Sequence, residues 1–260
     1  MRLDPRDAGR HIHELEQLKK MDEYAFTRAD YVIFPCEEAE EPYFNSWAEY
    51  GVIRRKTKLR YIPTGIQGCA PTLSRQVVRD QLGIPQDAFV MCYVGRHNQI
   101  KGYDRLVAQI PKILDKYGAW MLAAGKQGPL YPPRHERWIE VGWTDDPHSL
   151  VSASDLFILP NRETFFDLVM LEVLSLGIPI LASRSGGNRF FEKFRSRGIS
   201  LFEDDRGLAR AIGEFASMGD GDRVNASRDN IRLFNSEFTC SKFATRYCRL
   251  IDEINGEALL

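Results

Sequence analysis

Cysteine is scarce in the sequence, and its spacing fits neither a disulfide framework nor a zinc site. The five cysteines form no Cys-x-x-Cys pair and are odd in number: Cys36, Cys69, Cys92, Cys240 and Cys248. This usage is typical of a reduced, cytoplasmic protein. The apolar run around Cys92 predicts that this residue lies in the core.

Long apolar runs are absent as well. No run approaches the ~18 apolar residues that a membrane-spanning helix needs, so no transmembrane segment is expected. The first twenty residues are too highly charged to resemble a signal peptide. We therefore expect a cytoplasmic protein, and peripheral association with the inner face of the membrane is left open.

The sequence also lacks an excess of charge of either sign. It contains 35 basic and 36 acidic side chains, well mixed along the chain, for a net charge of −1. Without a basic stripe, nothing indicates nucleic-acid binding. The chain has no G-x-G-x-x-G, P-loop, H-E-x-x-H or G-x-S-x-G motif. His97 and His148 fit no metal-ligand spacing, so each is interpreted as a loop residue and no metal site is expected.

What the chain does have is a regular alternation of short apolar runs with helical patterns. With 43% apolar residues in 260, it has ample material for a core, in one large or two small domains. The alternation predicts an α/β fold, a doubly wound parallel sheet (Rossmann-like) with right-handed crossovers. Strands are predicted at residues 31–34, 59–62, 89–94, 120–124, 138–141, 156–159, 179–182 and 198–202. The main predicted helices span residues 11–27, 37–50, 72–82, about 103–116, 147–153, 168–176, 191–197 and 241–254.

Residues 155–187 contain the clearest strand–helix–strand unit. An apolar run at residues 156–159 is followed by a polar loop, a helix with apolar periodicity, a second apolar strand and the loop Ser185-Gly186-Gly187. Both loops follow the carboxyl ends of their strands. In open α/β sheets ligands bind at such ends, so this unit predicts a binding site.

A second candidate loop, residues 95–102, connects the strand at 89–94 to the next helix. It contains Arg96 and Lys101 between two glycines, Gly95 and Gly102, which permit tight turns. Two cations beside the free N–H groups of a helix N-terminus form a suitable anion site. Taken alone, an Arg/Lys pair on a loop is more often simply solvated.

These two regions resemble the donor-binding half of GT-B glycosyltransferases, specifically the large retaining family 4. Residues 95–102 match the family pattern Gly-Arg-x4-Lys-Gly, and the family's Glu-x7-Glu pattern with a following Gly-Gly loop is matched in part. Glu172 corresponds to the second Glu. The first falls on Thr164, with Glu163 one residue early, and the family's Gly three positions later is Asp167.

The resemblance implies catalytic roles for four residues. In the family, the Arg and Lys that Arg96 and Lys101 match bind the donor's diphosphate and stabilise the leaving group. The second Glu, here Glu172, accepts hydrogen bonds from the ribose hydroxyls, and the first contacts the sugar, a role that Glu163 or Asp167 would take through a shifted loop. Alternatively, Glu172 is a solvent-facing helix residue, and Thr164 or Asp167 is a helix N-cap.

The resemblance also implies a set of residues that line the donor, many of them through the backbone. Small residues let a backbone approach a ligand closely, although glycine pairs also occur in ordinary turns. The implied donor-binding residues are Gly95, Gly125, Lys126, Gly142, Trp143, Thr164, Phe166, Asp167, Leu168, Gly186 and Gly187.

The same resemblance divides the chain into three parts. Residues 1–58 correspond to a truncated N-terminal remnant of an acceptor-side domain with its linker, 59–240 to the donor-binding domain and 241–260 to a C-terminal crossover helix. Most of the acceptor domain is therefore expected to be missing, and is supplied either by a longer protein or by a partner chain.

The implied function is transfer of a hexose, with retention, from a nucleotide-diphosphate sugar to a sugar or glycolipid acceptor in polysaccharide or glycoconjugate biosynthesis. No cofactor or metal is expected, since no Asp-x-Asp motif of the metal-dependent GT-A type is present. The alternative is a non-catalytic nucleotide-sugar-binding subunit or an inactive truncated enzyme, suggested by Thr164 and the truncation. An oxidoreductase on a dinucleotide fold is disfavoured because the glycine fingerprint is missing.

Overall fold

The computed structural model of the protein describes residues 12–257. Its strands are β1 (Val32–Phe34), β2 (Leu59–Tyr61), β3 (Val90–Val94), β4 (Trp120–Ala124), β5 (Trp138–Gly142), β6 (Leu156–Leu159), β7 (Ile180–Ser183) and β8 (Ile199–Phe202). Its helices are α1 (Ile12–Arg28), α2 (Glu41–Ser46), α3 (Tyr50–Arg54), α4 (Arg75–Gln81), α5 (Tyr103–Tyr117), α6 (Pro147–Ser152), α7 (Leu168–Ser175), α8 (Asp205–Ala216), α9 (Asp220–Leu233) and α10 (Cys240–Glu257). Every predicted strand is present, to within one residue at each end.

Six strands form one parallel sheet in the order β5-β4-β3-β6-β7-β8, which confirms the predicted fold class. From β3 the chain runs outward to β4 and β5. It then returns to the other side of β3 to form β6, β7 and β8. The carboxyl ends of β3 and β6 therefore flank the point where the strand order reverses, which is the usual ligand position in such sheets.

Side chains of each buried strand point alternately to the two faces of the sheet, so both faces are apolar. Helices cover both of them. Along β3, Met91 and Tyr93 pack with Leu106 of α5 and Leu208 of α8. Val90 and Cys92 face the opposite side, where the buried residues of α7 form the centre of the second core layer. Cys92 is fully buried, as predicted.

The elements that precede the large sheet form a small unit of their own. Strands β1 and β2 pair in parallel as a two-stranded sheet. An aromatic cluster packs against it, and a buried carboxylate, Glu40, accepts hydrogen bonds from Tyr50 (2.7 Å) and the Arg54 guanidinium (2.6 Å). The predicted boundary between residues 58 and 59 falls between the two paired strands, and the division into domains stays a prediction.

Two predicted helices were wrong in their bounds. The helix predicted at 37–50 is split into a 3-10 turn, α2 and α3, because Trp47 adopts an extended conformation and is buried in the aromatic cluster. Gly51, the residue that follows the predicted helix, lies inside α3. The helix predicted at 191–197 is instead a run of 3-10 turns, Gly186–Phe194, which ends at Arg195 in the left-handed region (φ 49°).

The two terminal helices agree with their predictions where they can be compared. Helix α1 begins at Ile12, and the predicted start at residue 11 lies outside the described residues. Helix α10 covers the predicted span. Residues 1–11 of the predicted remnant and residues 258–260 of the predicted crossover helix lie outside the described residues. Within residues 12–257, no helix combines the length and the apolar character that a membrane span requires.

Candidate functional site

The loop after β3 is held in shape by its own backbone and by its neighbours. The Gly95 N–H donates to the Ala124 carbonyl at 2.9 Å, and the Lys101 N–H donates to the side-chain oxygen of Asn98 at 2.9 Å. Gly102 has a positive φ of 69°, and a Cβ there would lie 1.9 Å from the Pro160 carbonyl oxygen. The loop thus packs directly on the loop that follows β6.

The two predicted phosphate ligands differ in their environment. Arg96 is exposed, and its guanidinium makes no hydrogen bond or ion pair with any residue from 16 to 256. The Lys101 ammonium, 26% exposed, forms an ion pair with the Asp167 carboxylate at 2.8 Å. Arg96 is therefore available to a ligand, whereas Lys101 is already paired with Asp167.

His97, between these two residues in sequence, has a role that the sequence did not reveal. It is a loop residue, as predicted, but it is fully buried and its ring stacks on Tyr103 at 3.9 Å. Its Nε2 lies 3.5 Å from Glu140, whose carboxylate also accepts from the Tyr103 hydroxyl at 2.8 Å. Burial is the main cause of a lowered pKa at His97, which favours the neutral ring.

The loop after β6 brings the partly matched motif next to the loop after β3. The Arg162 N–H donates to the Ile100 carbonyl at 2.8 Å, Thr164 is buried and Glu163 is half-buried. Asp167 occupies the N-cap position of α7, yet its side chain makes no capping hydrogen bond. Its carboxylate instead accepts from the side-chain nitrogens of Lys101 and Asn161.

Glu172 lies on α7, whose other side chains are mostly apolar, but it is not buried among them. Its side chain is 35% exposed, and one carboxylate oxygen lies 3.6 Å from Nε2 of His148. His148 belongs to α6, so its interpretation as a loop residue was wrong. A half-exposed carboxylate at this position is accessible to a ligand's hydroxyl groups.

The glycine pair after β7 lies against the backbone of the loop that follows β6. A Cβ on Gly186 would lie 1.8 Å from the Thr164 carbonyl oxygen, and one on Gly187 would lie 2.0 Å from that of Phe165. The loops after β6 and β7 are therefore in direct backbone contact, which side chains on either glycine would prevent. This explains the Gly-Gly pattern without a ligand.

Glu41 is a second residue that the sequence analysis missed. Its carboxylate accepts a hydrogen bond from the Gly186 N–H at 2.9 Å and forms an ion pair with Arg189 at 2.5 Å. Glu41 begins α2, far from the glycine loop in sequence, and no motif links the two. It connects the small N-terminal unit to the loop after β7.

The ends of β4 and β5 complete the row of predicted residues. The Gly125 N–H donates to the Gly142 carbonyl at 2.8 Å, and a Cβ on Gly125 would lie 2.0 Å from the Gly95 carbonyl oxygen. Lys126 is exposed, and Trp143 is 77% exposed. Both side chains are therefore exposed to solvent beside the loop after β3.

The structure places most of the predicted site residues on adjacent loops or at helix starts along the carboxyl edge of β3 to β7, with Glu172 in the second turn of α7. Among them, the Phe166 ring packs on Phe190 and Phe191, whereas Leu168, the first residue of α7, is 48% exposed. A separate cavity of about 970 Å³ lies beside β8, lined by residues such as Arg184, Glu203 and Arg210, and includes none of them. No group of His, Cys, Asp or Glu side chains in the described part of the chain could hold a metal ion.

Comparison with known proteins identifies the family. A model of the family described as glycosyl transferases group 1 matches residues 88–217. The chain is 25% identical over 189 residues to the Escherichia coli O-antigen biosynthesis glycosyltransferase WclY, covering 70% of this chain and 51% of that protein. It is 28% identical over 143 residues to the Rhizobium meliloti lipopolysaccharide core biosynthesis glycosyltransferase LpsE, covering 52% and 42%. The chain thus spans about half the length of these curated relatives.

Solved structures show the same fold. The sucrose-phosphate synthase of Thermosynechococcus elongatus superposes with a TM-score of 0.72 at 22% identity, covering 93% of this chain and 62% of that one. Anabaena HepE in complex with UDP and glucose superposes with a TM-score of 0.67 at 16% identity, covering 90% and 66%. Together with the match over half of the residues, these likenesses establish that the chain belongs to the glycosyl transferases group 1, as its resemblance to GT-B glycosyltransferases predicted.

Proposed function

We propose that this chain is the donor-binding half of a retaining, family 4-like glycosyltransferase that uses a nucleotide-diphosphate hexose. One observation carries the proposal: Arg96 and Lys101 lie on the same loop at the point of strand-order reversal, with the guanidinium of Arg96 unpaired among residues 16–256. An exposed, unpaired cation on a preformed loop beside a helix N-terminus suits an anionic ligand.

The order of the loops supports a nucleotide sugar in particular. From β5 to β7, the sheet edge presents first an exposed tryptophan, Trp143, then the cations of the β3 loop, then the polar residues around Glu163. Base, diphosphate and sugar follow one another in the same order in a nucleotide sugar. The proposed ligand therefore lies across the strands, with Glu172 accepting from its ribose hydroxyls.

The residues of this chain would act mainly by electrostatics. As the bond to the sugar breaks, negative charge develops on the leaving diphosphate, and cations fixed beforehand stabilise it without reorganisation. Arg96 and Lys101 supply that charge, and the first N–H groups of α7 add their partial positive charge. Glu163 is proposed to contact the sugar hydroxyls, and no cofactor or metal takes part.

The proposed acceptor is based on what the relatives are described as synthesising. WclY and LpsE are described as O-antigen and lipopolysaccharide core glycosyltransferases. We accordingly propose a sugar or glycolipid acceptor, polysaccharide or glycoconjugate biosynthesis, and a cytoplasmic location with peripheral contact to the inner face of the membrane. A further domain or a partner chain would bind the acceptor, because this chain covers about half of its relatives' length.

A specific observation favours a second candidate, a nucleotide-sugar-binding subunit without turnover. Thr164 replaces the first carboxylate of the family pattern, and it is buried beneath the glycine loop, with 6% of its surface exposed. It cannot supply a charge. Addition of the acceptor-side domain or partner separates the candidates, since sugar transfer then occurs only if the chain belongs to an active enzyme.

Calorimetric titration with UDP, GDP and ADP tests the donor site. We expect one of the three to bind, and the Arg96→Ala/Lys101→Ala double variant to lose at least about tenfold in affinity, equivalent to ~1.4 kcal/mol. The double variant Arg228→Ala/Lys242→Ala, which removes two exposed cations on α9 and α10, is the control and should bind normally. If none of the diphosphates binds to a folded wild-type chain, the proposal is wrong.

A further inference from the structure

Asp167 places a negative charge inside the proposed phosphate site. Its carboxylate, 16% exposed, lies 2.8 Å from the Lys101 ammonium and also accepts from the Asn161 side chain. The residue stands where the resembled family has a glycine. A glycine at this position would leave Lys101 without this partner.

The carboxylate is not explained as a helix cap. Asp167 precedes the first residue of α7, but it makes no hydrogen bond to a backbone N–H of that helix. By contrast, Asp146 and Asp204 cap their helices by accepting from Ser149 and Gly207. The carboxylate of Asp167 instead accepts hydrogen bonds from Lys101 and Asn161, where the phosphates of the proposed ligand would bind.

The balance of charge at the site follows from these contacts. Arg96 and Lys101 contribute two positive charges, and Asp167 cancels one of them. An incoming diphosphate must therefore share Lys101 with the carboxylate, and it is repelled by that carboxylate at short range. The repulsion increases with the charge of the ligand.

The intact donor and the nucleoside diphosphate product differ in the charge of this phosphate. The terminal phosphate of a nucleoside diphosphate is attached only through its anhydride bond and, like a phosphate monoester, carries about −1.5 to −2 charge at pH 7. The same phosphate esterified to a sugar has one ionisable group fewer. A fixed carboxylate next to Lys101 therefore disfavours the product more than it disfavours the intact donor.

We propose that Asp167 is a specificity-determining residue that competes with phosphate for Lys101 and thereby promotes release of the nucleoside diphosphate after transfer. The inference rests on the proposed function of the site. The opposite role, in which Asp167 positions Lys101 for the phosphate, predicts the opposite sign when the charge is removed, so one variant separates the two.

The test compares wild type with Asp167→Asn, which keeps the size of the side chain and a good N-cap residue. The probes are the diphosphate that binds among UDP, GDP and ADP, its β-methyl ester, which has the donor's charge without a sugar, and the free nucleoside. We expect affinity for the diphosphate to rise about tenfold, or ~1.4 kcal/mol. Affinity for the ester should rise less, and that for the nucleoside should stay the same.

Asp205→Asn is the matched control, because the Asp205 carboxylate, at the start of α8, pairs with Arg105 of α5 at 3.1 Å; this variant should leave all three affinities unchanged. Equal or weaker diphosphate binding by Asp167→Asn overturns the inference, as does an equal gain for diphosphate and ester. If Asp167→Asn fails to fold by its melting curve, Asp167→Ser replaces it. If no diphosphate binds either wild type or Asp167→Asn, the proposed function itself fails, whereas binding by the variant alone supports the inference.

Discussion

His97 is a single buried side chain that connects the loop after β3 to its neighbours. Its ring is enclosed between the loop and Tyr103, while its backbone N–H and carbonyl bond to Lys126 and Leu130. The residue thus ties the β3 loop to the β4 loop on which the proposed ligand would rest. Both ring nitrogens lack a hydrogen-bond partner in the described part of the chain. The Glu140 carboxylate, 3.5 Å from Nε2, offsets only part of the cost of burying a protonated ring.

This burial predicts a pH dependence of stability. The pKa of His97 is lowered in the folded chain, so below about pH 6.5 the unfolded state binds a proton that the folded state resists, and stability falls. The loss is at most ~1.4 kcal/mol per pH unit from this one group. Urea unfolding at pH 7.5 and 5.5 should show a smaller loss for His97→Gln than for wild type. His148→Gln, which removes a 30% exposed histidine, should behave like wild type, and an unchanged loss in His97→Gln would contradict the account.

Sequence patterns identified some of these residues and could not identify others. Arg96 and Lys101 were found because their spacing between two glycines is local. The pairing of Lys101 with Asp167 joins residues 66 positions apart, and no local pattern encodes it. The same holds for Glu41 and Gly186, which are 145 positions apart.

At the scale of elements, backbone contacts between loops position the site. The loop after β3 packs on the loop after β6 through Gly102, and the loop after β6 packs on the glycine pair after β7. These contacts require residues without a Cβ, which explains why glycines recur there. The strands were predictable because short apolar runs end at proline or glycine, whereas the helix at 37–50 was not, because tertiary burial of Trp47 interrupts a good helical pattern.

The contact at Gly102 can be separated from simple backbone strain. Gly102 and Gly118 precede and follow the same helix, α5, with similar positive φ values of 69° and 62°. A Cβ at Gly118 meets nothing within 4 Å, so Gly118→Ala should cost only the left-handed strain of about 1–2 kcal/mol. Gly102→Ala should be more destabilising by denaturant unfolding and should weaken nucleoside diphosphate binding. Equal effects of the two variants would show that the packing of these loops is unimportant.

The described part of the molecule is held together by a core that extends from the small N-terminal unit into the large sheet. Phe26 and Phe34 belong to the same buried cluster as Phe190 and the apolar side chains of α7. A parallel bridge between Ile66 and Thr239 joins the segment that follows β2 to the residue that precedes α10. The fold class was predictable from the alternation of strands and helices, but how these units pack together was not, because it depends on contacts distant in sequence.

The central claim is that a nucleoside diphosphate binds across the carboxyl edge of this sheet. A crystal structure of the chain with the diphosphate selected by titration tests it most directly. We predict electron density for the phosphates between Arg96 and the start of α7, with the base beside Gly142 and Trp143. Phosphates bound instead in the cavity beside β8, next to Arg184 and Arg210, or bound without contact to Arg96, would contradict the account.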